Sequence, residues 1–125
     1  MKRIISTDKA PRAIATYSQA VEVNGMLFIA GQIPIDPATG KLVEGGIREQ
    51  TEQVLKNTRE ILIAAGYTFQ DVVKSTCLLT DLSLYADMNA VYAKFYYENS
   101  PARAAFAVTG LPMGALIEIE TIAYR

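Results

Sequence analysis

The sequence predicts an α+β fold in which two helices cover one face of a mostly antiparallel sheet. Two observations lead there. Short apolar runs bounded by turn residues occur near both ends of the chain, as expected of strands. Between them, two stretches with apolar residues at helical spacing flank one strand-length apolar run. The element order is therefore strand, strand, helix, strand, helix, strand, strand. At 125 residues the chain is expected to form one domain, residues 1–125.

The first two strands are predicted on either side of Asn24 and Gly25. Residues 19–23 and 26–32 are largely apolar, and an Asn-Gly pair between two such runs is a strong hairpin signal. A loop rich in proline and glycine is expected from residue 34 to residue 46.

The first helix is predicted from a stripe of residues three and four positions apart. Gly66 directly follows this stripe and is expected to end the helix, because glycine readily adopts the left-handed conformation of a C-cap. The residues of the stripe are Ile47, Thr51, Val54, Thr58, Ile61 and Ala65, widened by Leu55 and Leu62.

Residues 72–79 are predicted to form a strand that is apolar on both faces. Val72 and Leu78 would lie on one face and Val73, Cys77 and Leu79 on the other. A second helix follows, with Asp81 as its expected N-cap. One face of this helix is formed by Leu84, Met88, Val91, Tyr92 and Phe95.

The last two strands are expected at about residues 104–108 and 116–124, joined by a turn that contains Gly110, Pro112 and Gly114. If they form a hairpin, Arg103 lies opposite Glu120 and diagonal to Glu118.

The uncovered sheet face is predicted to carry Val72, Leu78, Leu116 and Ile122. A patch of this kind usually marks an interface, so we expect a homo-oligomer built through the open face. Glu118 and Glu120 share the strand parity of Leu116 and Ile122, which would place them in or near that interface. Alternatively, both carboxylates lie at the sheet margin in water.

Composition narrows the range of functions. The formal net charge is −1, with no basic cluster to suggest nucleic acid as the main partner. The N-terminus lacks the apolar region of a signal peptide, and no apolar run is long enough to span a bilayer, so a cytoplasmic location is expected. With one cysteine and no histidine, we expect neither a disulfide nor a metal site.

Arg103 and Glu118 are the candidate catalytic residues. A guanidinium suits bidentate binding of a carboxylate, although a salt bridge to Glu118 or Glu120 is an equally simple explanation. Glu118 would position or deprotonate a water, with Glu120 as the alternative. Burial would raise the pKa of Glu118 and a close Arg103 would lower it, and the sequence does not decide between them.

Three further residues are weaker candidates. Tyr17 offers a ring and a hydroxyl from a loop, or simply anchors that loop on the core. Gly31 lies at a strand end, where it either allows close approach of a ligand or marks a bulge. Asn89 is either a ligand contact or a solvated helix residue. Cys77 is expected to be a small buried side chain.

Taken together, several segments closely resemble the RidA (YjgF) family over nearly the whole chain. The most specific are Pro101-Ala102-Arg103 and Ile117-Glu118-Ile119-Glu120. The others are Ala10-Pro11-Arg12-Ala13-Ile14, Tyr17-Ser18-Gln19, Gly31-Gln32-Ile33-Pro34, Gln50-Thr51 to Ala65-Gly66, Val73-Lys74 and Leu111-Pro112. The resemblance implies a chorismate-mutase-like fold of the bacillus type and a homotrimer packed through its sheets, with three ligand clefts between subunits.

The same resemblance implies hydrolysis of reactive 2-imino or enamine acids to 2-oxo acids and ammonia, without a cofactor. Arg103 would hold the substrate carboxylate and Glu118 the water, while Tyr17, Gly31 and Asn89 would line the cleft. Backbone groups near Gly31 and Ala105 would hold the nitrogen or the developing hydroxyl. Many family members carry a cysteine where this chain has Ala105, and a serine where it has Ala30.

Two other functions are compatible with the same residues. A non-catalytic regulatory trimer could bind a 2-oxo acid in the Arg103 cleft. Cleavage of RNA, which has been proposed for relatives, is disfavoured by the lack of histidine and of a basic surface.

Overall fold

The computed structural model describes all 125 residues. They form eight strands and two α-helices, with three short 3₁₀ turns between them. In chain order the elements are β1 (Arg3–Ile5), β2 (Ala20–Val23), β3 (Met26–Gln32), β4 (Ile35–Asp36), β5 (Lys41–Leu42), α1 (Ile47–Ala65), β6 (Val72–Leu79), α2 (Tyr85–Phe95), β7 (Ala102–Ala107) and β8 (Ile117–Tyr124).

The main sheet has six strands in the order β1-β2-β3-β8-β6-β7. All neighbours are antiparallel except β6 and β7, which are parallel. Both helices pack on one face of this sheet, so the predicted α+β architecture is confirmed. Neither helix is long and apolar enough to cross a lipid bilayer.

The hydrophobic core lies between the helices and the covered sheet face. Alternate residues of β8 point into it, and Ile117, Ile119 and Ala123 are fully buried. From α1, Val54, Leu55, Ile61 and Leu62 close the other side. The helical stripe predicted from the sequence is therefore the buried face of α1.

Two predictions that depend on glycines are confirmed, the hairpin turn at Gly25 and the end of α1 at Gly66. Gly25, at φ +79°, follows Asn24 in the β2–β3 turn, where both residues adopt the left-handed conformation that a two-residue hairpin needs. Gly66, at φ +86°, ends α1, and the backbone N–H of Tyr67 donates to the carbonyl of Leu62 at 2.8 Å.

The predicted hairpin between the last two strands is wrong. β7 is an edge strand that pairs only with β6, and β8 lies on the other side of β6. The reason is the helix between β6 and β7: a strand that returns through a crossover helix lies parallel to the strand it left. After the turn at Pro112–Gly114, the chain passes β6 and enters the sheet between β6 and β3.

Two residues expected on the open face belong to the core. The β6–β8 register shifts between Val72 and Lys74, and this bulge turns Val72 inward, where it is 4% exposed. Leu116 precedes β8, so strand alternation does not apply to it, and it packs against the core. Leu78 and Ile122 do lie on the open face, paired with Glu118 and Phe28 respectively.

Three smaller features of the structure differ from the prediction. β1 adds an edge strand beside β2, and β4 and β5 form a small hairpin in the expected loop. Asp81 caps the 3₁₀ turn Leu82–Leu84, accepting from the backbone N–H of Ser83 at 2.8 Å, and α2 begins only after that turn.

Candidate functional site

The predicted site residues form two separate groups in the chain. Arg103, Asn89 and Ala105 lie on the helix-covered side of the sheet, at the β7 edge. Tyr17, Gly31 and Glu118 line a cleft near the start of β8. The pairing register explains the separation.

Paired residues in neighbouring strands point to the same side of a sheet. Ser75, which is fully buried on the helix side, pairs with Arg103 in β7. Leu78, on the open side, pairs with Glu118 in β8, and Thr76 pairs with Glu120. Arg103 and the two glutamates are therefore on opposite faces. The expectation that they lie side by side within one chain is wrong, and no salt bridge joins them.

The Arg103 side chain is held by the first two turns of α2. One guanidinium nitrogen donates to Asn89 Oδ1 at 2.7 Å, and another donates to the Tyr85 hydroxyl. The guanidinium carbon lies 4.7 Å from the Tyr92 ring centroid and 5.4 Å from that of Tyr85. Cation–π contact and neutral acceptors orient the charge without neutralising it. Asn89 is thus a structural partner of Arg103 and not a solvated residue.

Ala105 continues the Arg103 side of β7, two residues further along. It pairs with Cys77, which is fully buried. Burial raises the pKa of the Cys77 thiol to about 11, so this sulfur remains a protonated thiol and behaves as the small hydrophobe that was expected.

The second group lines an open cleft of about 680 Å³. This volume falls within the range of ordinary small-molecule sites. Tyr17 is 52% exposed there, so it is a cleft residue and not a core anchor. The remaining lining residues are Pro11, Arg12, Ile14, Gln19, Ala30, Gln32, Ile33, Ile35, Pro37, Gly40, Pro112 and Met113.

Gly31 and Glu118 are in direct contact. The β3–β8 register shifts between Ile29 and Gln32, so the bulge predicted as one reading of Gly31 is present. A methyl group added at Gly31 would overlap the Glu118 carboxylate, with its carbon 2.8 Å from Cδ. The absence of a side chain at Gly31 therefore gives the carboxylate its place against the strand.

The pKa of Glu118 is raised, first by burial and then by the negative charge of Glu120. Within one chain, burial outweighs Arg103 in its effect on the pKa of Glu118, because Arg103 is on the far side of the sheet. A carboxyl with a raised pKa is better suited to exchange protons with a substrate or a water near neutral pH.

Glu120 is exposed on the open face and does not line the cleft. Its effect on the site is electrostatic and acts through Glu118.

Three residues of these two groups, Tyr85, Tyr92 and Arg12, were not predicted from the sequence as site residues. Tyr85 and Tyr92 lie four residues before and three after Asn89, so helical spacing alone places all three on one face. Arg12 also lines the cleft, but an exposed loop arginine carries no signal of its own in sequence.

The fold and the site residues define a known class of protein. The model of the endoribonuclease L-PSP family matches residues 7–125, and the chain belongs to this family, which is also called the YjgF or RidA family. A RutC family protein of Pyrococcus horikoshii is 54% identical over all of this chain and 99% of its own length.

Human 2-iminobutanoate/2-iminopropanoate deaminase is 50% identical over all of this chain and 91% of its own length. The crystal structure of RidA from the Antarctic bacterium Psychrobacter superposes with a TM-score of 0.95. It is 48% identical and covers 98% of this chain and 99% of the other. The fold is therefore the chorismate-mutase-like fold of these proteins.

Proposed function

We propose that this chain is an enzyme that hydrolyses reactive 2-imino and enamine acids to 2-oxo acids and ammonia. Relatives at about 50% identity over the full chain are named for this activity. The observation that carries the proposal is the state of Arg103. Its guanidinium is fixed by neutral partners and has no acidic one, which leaves a net positive charge for a substrate carboxylate.

Within one chain, Arg103 and Glu118 are on opposite faces of the sheet, so a single copy cannot bring both residues to the same substrate. We therefore propose that Arg103, Asn89 and Ala105 of one copy face Tyr17, Gly31 and Glu118 of another copy. A homotrimer arranged around its open sheet faces would form three such clefts. The apolar row Ile4, Val21, Phe28 and Ile122, which crosses four adjacent strands of the open face, supports this arrangement.

The reaction needs only positioning and one proton acceptor. Arg103 binds the carboxylate and so fixes the adjacent C=N carbon next to Glu118. Glu118 accepts a proton as a water adds to that carbon, and the proton then passes to the nitrogen. The resulting carbinolamine collapses to the 2-oxo acid and ammonia. Proton transfer by a positioned side chain is worth roughly 10²–10⁴-fold, which suits a substrate that already hydrolyses slowly in water.

The decisive experiment measures the decay of 2-iminobutanoate generated in situ. We expect the wild-type protein to accelerate the decay. Arg103→Ala should raise KM and lower kcat/KM by about 100-fold, since a charge-assisted pair is worth roughly 1.5–3 kcal/mol. Glu118→Gln should lower kcat by roughly 10²-fold or more while binding persists.

Two controls separate this proposal from its alternatives. Glu120→Gln should retain most of the activity. If Glu120→Gln instead lost activity while Glu118→Gln remained fully active, Glu120 would be the residue that activates the water. Equal decay with and without the protein would favour the second candidate function, a non-catalytic trimer that binds 2-oxo acids at Arg103.

We also infer that residues 1–125 act as one domain, that the protein works in the cytoplasm, and that nucleic acid is not its main partner. The formal net charge of −1 supports the last point.

A further inference from the structure

Arg12 is the cation of the Glu118 cleft. Among the residues that line this cleft, only Arg12 and Glu118 carry a full charge, and about half of the other lining residues are isoleucine, proline or methionine. Arg12 forms no salt bridge. The Arg12 side chain has no hydrogen-bond partner in the chain, whereas Arg3, Arg48, Arg103 and Arg125 each have at least one.

The two charges do not neutralise one another. The pKa of Glu118 is raised by burial and by Glu120, and Arg12 is not among the groups that act on it. A guanidinium in contact with this carboxyl would lower its pKa. No salt bridge joins Arg12 to Glu118, so each charge remains available to a different part of a ligand.

The backbone that carries Arg12 is anchored. Gln19 is 4% exposed, and its side chain amide donates to the carbonyls of Thr7 at 2.9 Å and Pro11 at 2.8 Å. Its carbonyl oxygen accepts from the backbone N–H of Thr7 at 2.7 Å. A buried side chain thus holds the segment directly before Arg12 against β2. The backbone next to Arg12 is therefore held in place at the cleft by hydrogen bonds from Gln19.

The geometry of the proposed reaction assigns a direction to the substrate side chain. The C2 carbon of a 2-imino acid bears a carboxylate, a nitrogen and a side chain. When Arg103 of a second copy binds the carboxylate and Glu118 attends the C=N carbon, the side chain must extend along the remaining cleft wall. The lining of this cleft is mainly apolar and includes one cation, Arg12.

We propose that Arg12 selects 2-imino acids whose side chain ends in a carboxylate. The inference rests on the proposed function and specifies the substrate class of the same cleft. Because Arg12 is exposed, the gain should be modest, about twofold to fivefold in kcat/KM at low ionic strength. It should also depend on salt, since the Debye length falls from roughly 30 Å at ~0.01 M to 3 Å at ~1 M.

The test compares two imines of equal chain length, one derived from glutamate and one from norvaline. Both are generated in situ by an amino acid oxidase, and kcat/KM is measured for each. We expect the ratio of the glutamate-derived to the norvaline-derived imine to exceed one at low salt and to fall as salt rises. Arg12→Gln should bring the ratio to one or below, and Arg12→Lys should keep most of it.

Arg59→Gln is the matched control, because Arg59 lies on α1 outside the cleft, and it should leave the ratio unchanged. A ratio that is the same in wild type and Arg12→Gln would overturn this inference while leaving the deaminase function intact. If neither of these imines is hydrolysed and 2-iminobutanoate is not hydrolysed either, the proposed function fails. The inference is then decided by the dissociation constants of 2-oxoglutarate and 2-oxopentanoate, where equal values in wild type would overturn it.

Discussion

Arg103 owes its orientation to three side chains on one face of α2. Asn89 and Tyr85 each accept one hydrogen bond from the guanidinium, and the Tyr92 ring makes a cation–π contact with it. Burial raises the pKa of Tyr92, so this ring remains a neutral phenol at neutral pH. The site is preorganised because each partner lies on a rigid helix and none brings a negative charge.

Tyr85→Phe should weaken substrate binding without changing the chemistry. The variant removes one hydrogen bond to Arg103 and keeps the ring, so we expect KM to rise about threefold to tenfold at nearly constant kcat. Steady-state kinetics on 2-iminobutanoate would measure both constants. Tyr97→Phe is the control, because Tyr97 is 75% exposed and lies outside the group of residues around Arg103. A fall in kcat with constant KM would contradict this role for Tyr85.

Glu120 should set the pH range of the enzyme through Glu118. The charge of Glu120 helps to keep the pKa of Glu118 above its usual value of 4.5. If ionised Glu118 is the base, kcat/KM must fall as pH drops through that raised pKa. Glu120→Gln removes the like charge, so the acidic limb of the pH profile should move to lower pH. A limb that stays in place, or moves to higher pH, would contradict the electrostatic coupling.

At the scale of elements, the end of α1 is fixed by residues far away in sequence. A guanidinium nitrogen of Arg3 donates to the carbonyl of Ala65 at 3.1 Å, and Arg125 donates to the carbonyl of Gly66. Both cations also oppose the partial negative charge of the helix C-terminus. The two ends of the chain thereby hold the turn that leads from α1 into the next strand.

Gly66→Ala should destabilise the fold. Gly66 adopts φ +86°, and a residue with a side chain costs about 1–2 kcal/mol in that conformation. We expect this loss in the free energy of unfolding measured by denaturant titration. Gly110→Ala serves as the comparison, since its added methyl group would meet no atom within 4 Å and its φ is not in the left-handed region. It should remain within ~0.5 kcal/mol of wild type, and equal losses in both variants would refute the argument.

For the molecule as a whole, the open sheet face is the feature that a single chain leaves unexplained. Phe28, Phe106 and Tyr124 are 43%, 47% and 56% exposed, although each lies in a strand of the central sheet. The interface proposed here would cover this face and bring Arg103 of one copy to Glu118 of another.

Phe28→Glu should therefore disrupt both assembly and activity. A carboxylate at this position of the apolar row would be buried without a partner, which is strongly unfavourable. Light scattering should show wild type at about three times the chain mass of 13.7 kDa and the variant at a lower mass, with loss of imine hydrolysis. Ile63→Glu is the control, because Ile63 is 59% exposed on α1 and away from the sheet. A monomeric wild type that retains activity would exclude the shared cleft.

The sequence by itself determined the local elements of this protein, because each depends on neighbours within a few residues. Asn24 and Gly25 specify a turn, Gly66 specifies a helix end, and the alternation of β8 specifies which residues enter the core. It also identified Arg103 and Glu118 as unusual residues. Their motifs were sufficient for the family to be recognised.

Only the tertiary structure decided how these elements meet. The chain places β8 between β3 and β6, so two strands that are adjacent in sequence are separated in the sheet. The bulge in β6 reverses the direction of Val72, and the parallel pairing of β7 turns Arg103 away from Glu118. Strand order and register arise from packing between distant segments, and a local pattern of residues does not encode them.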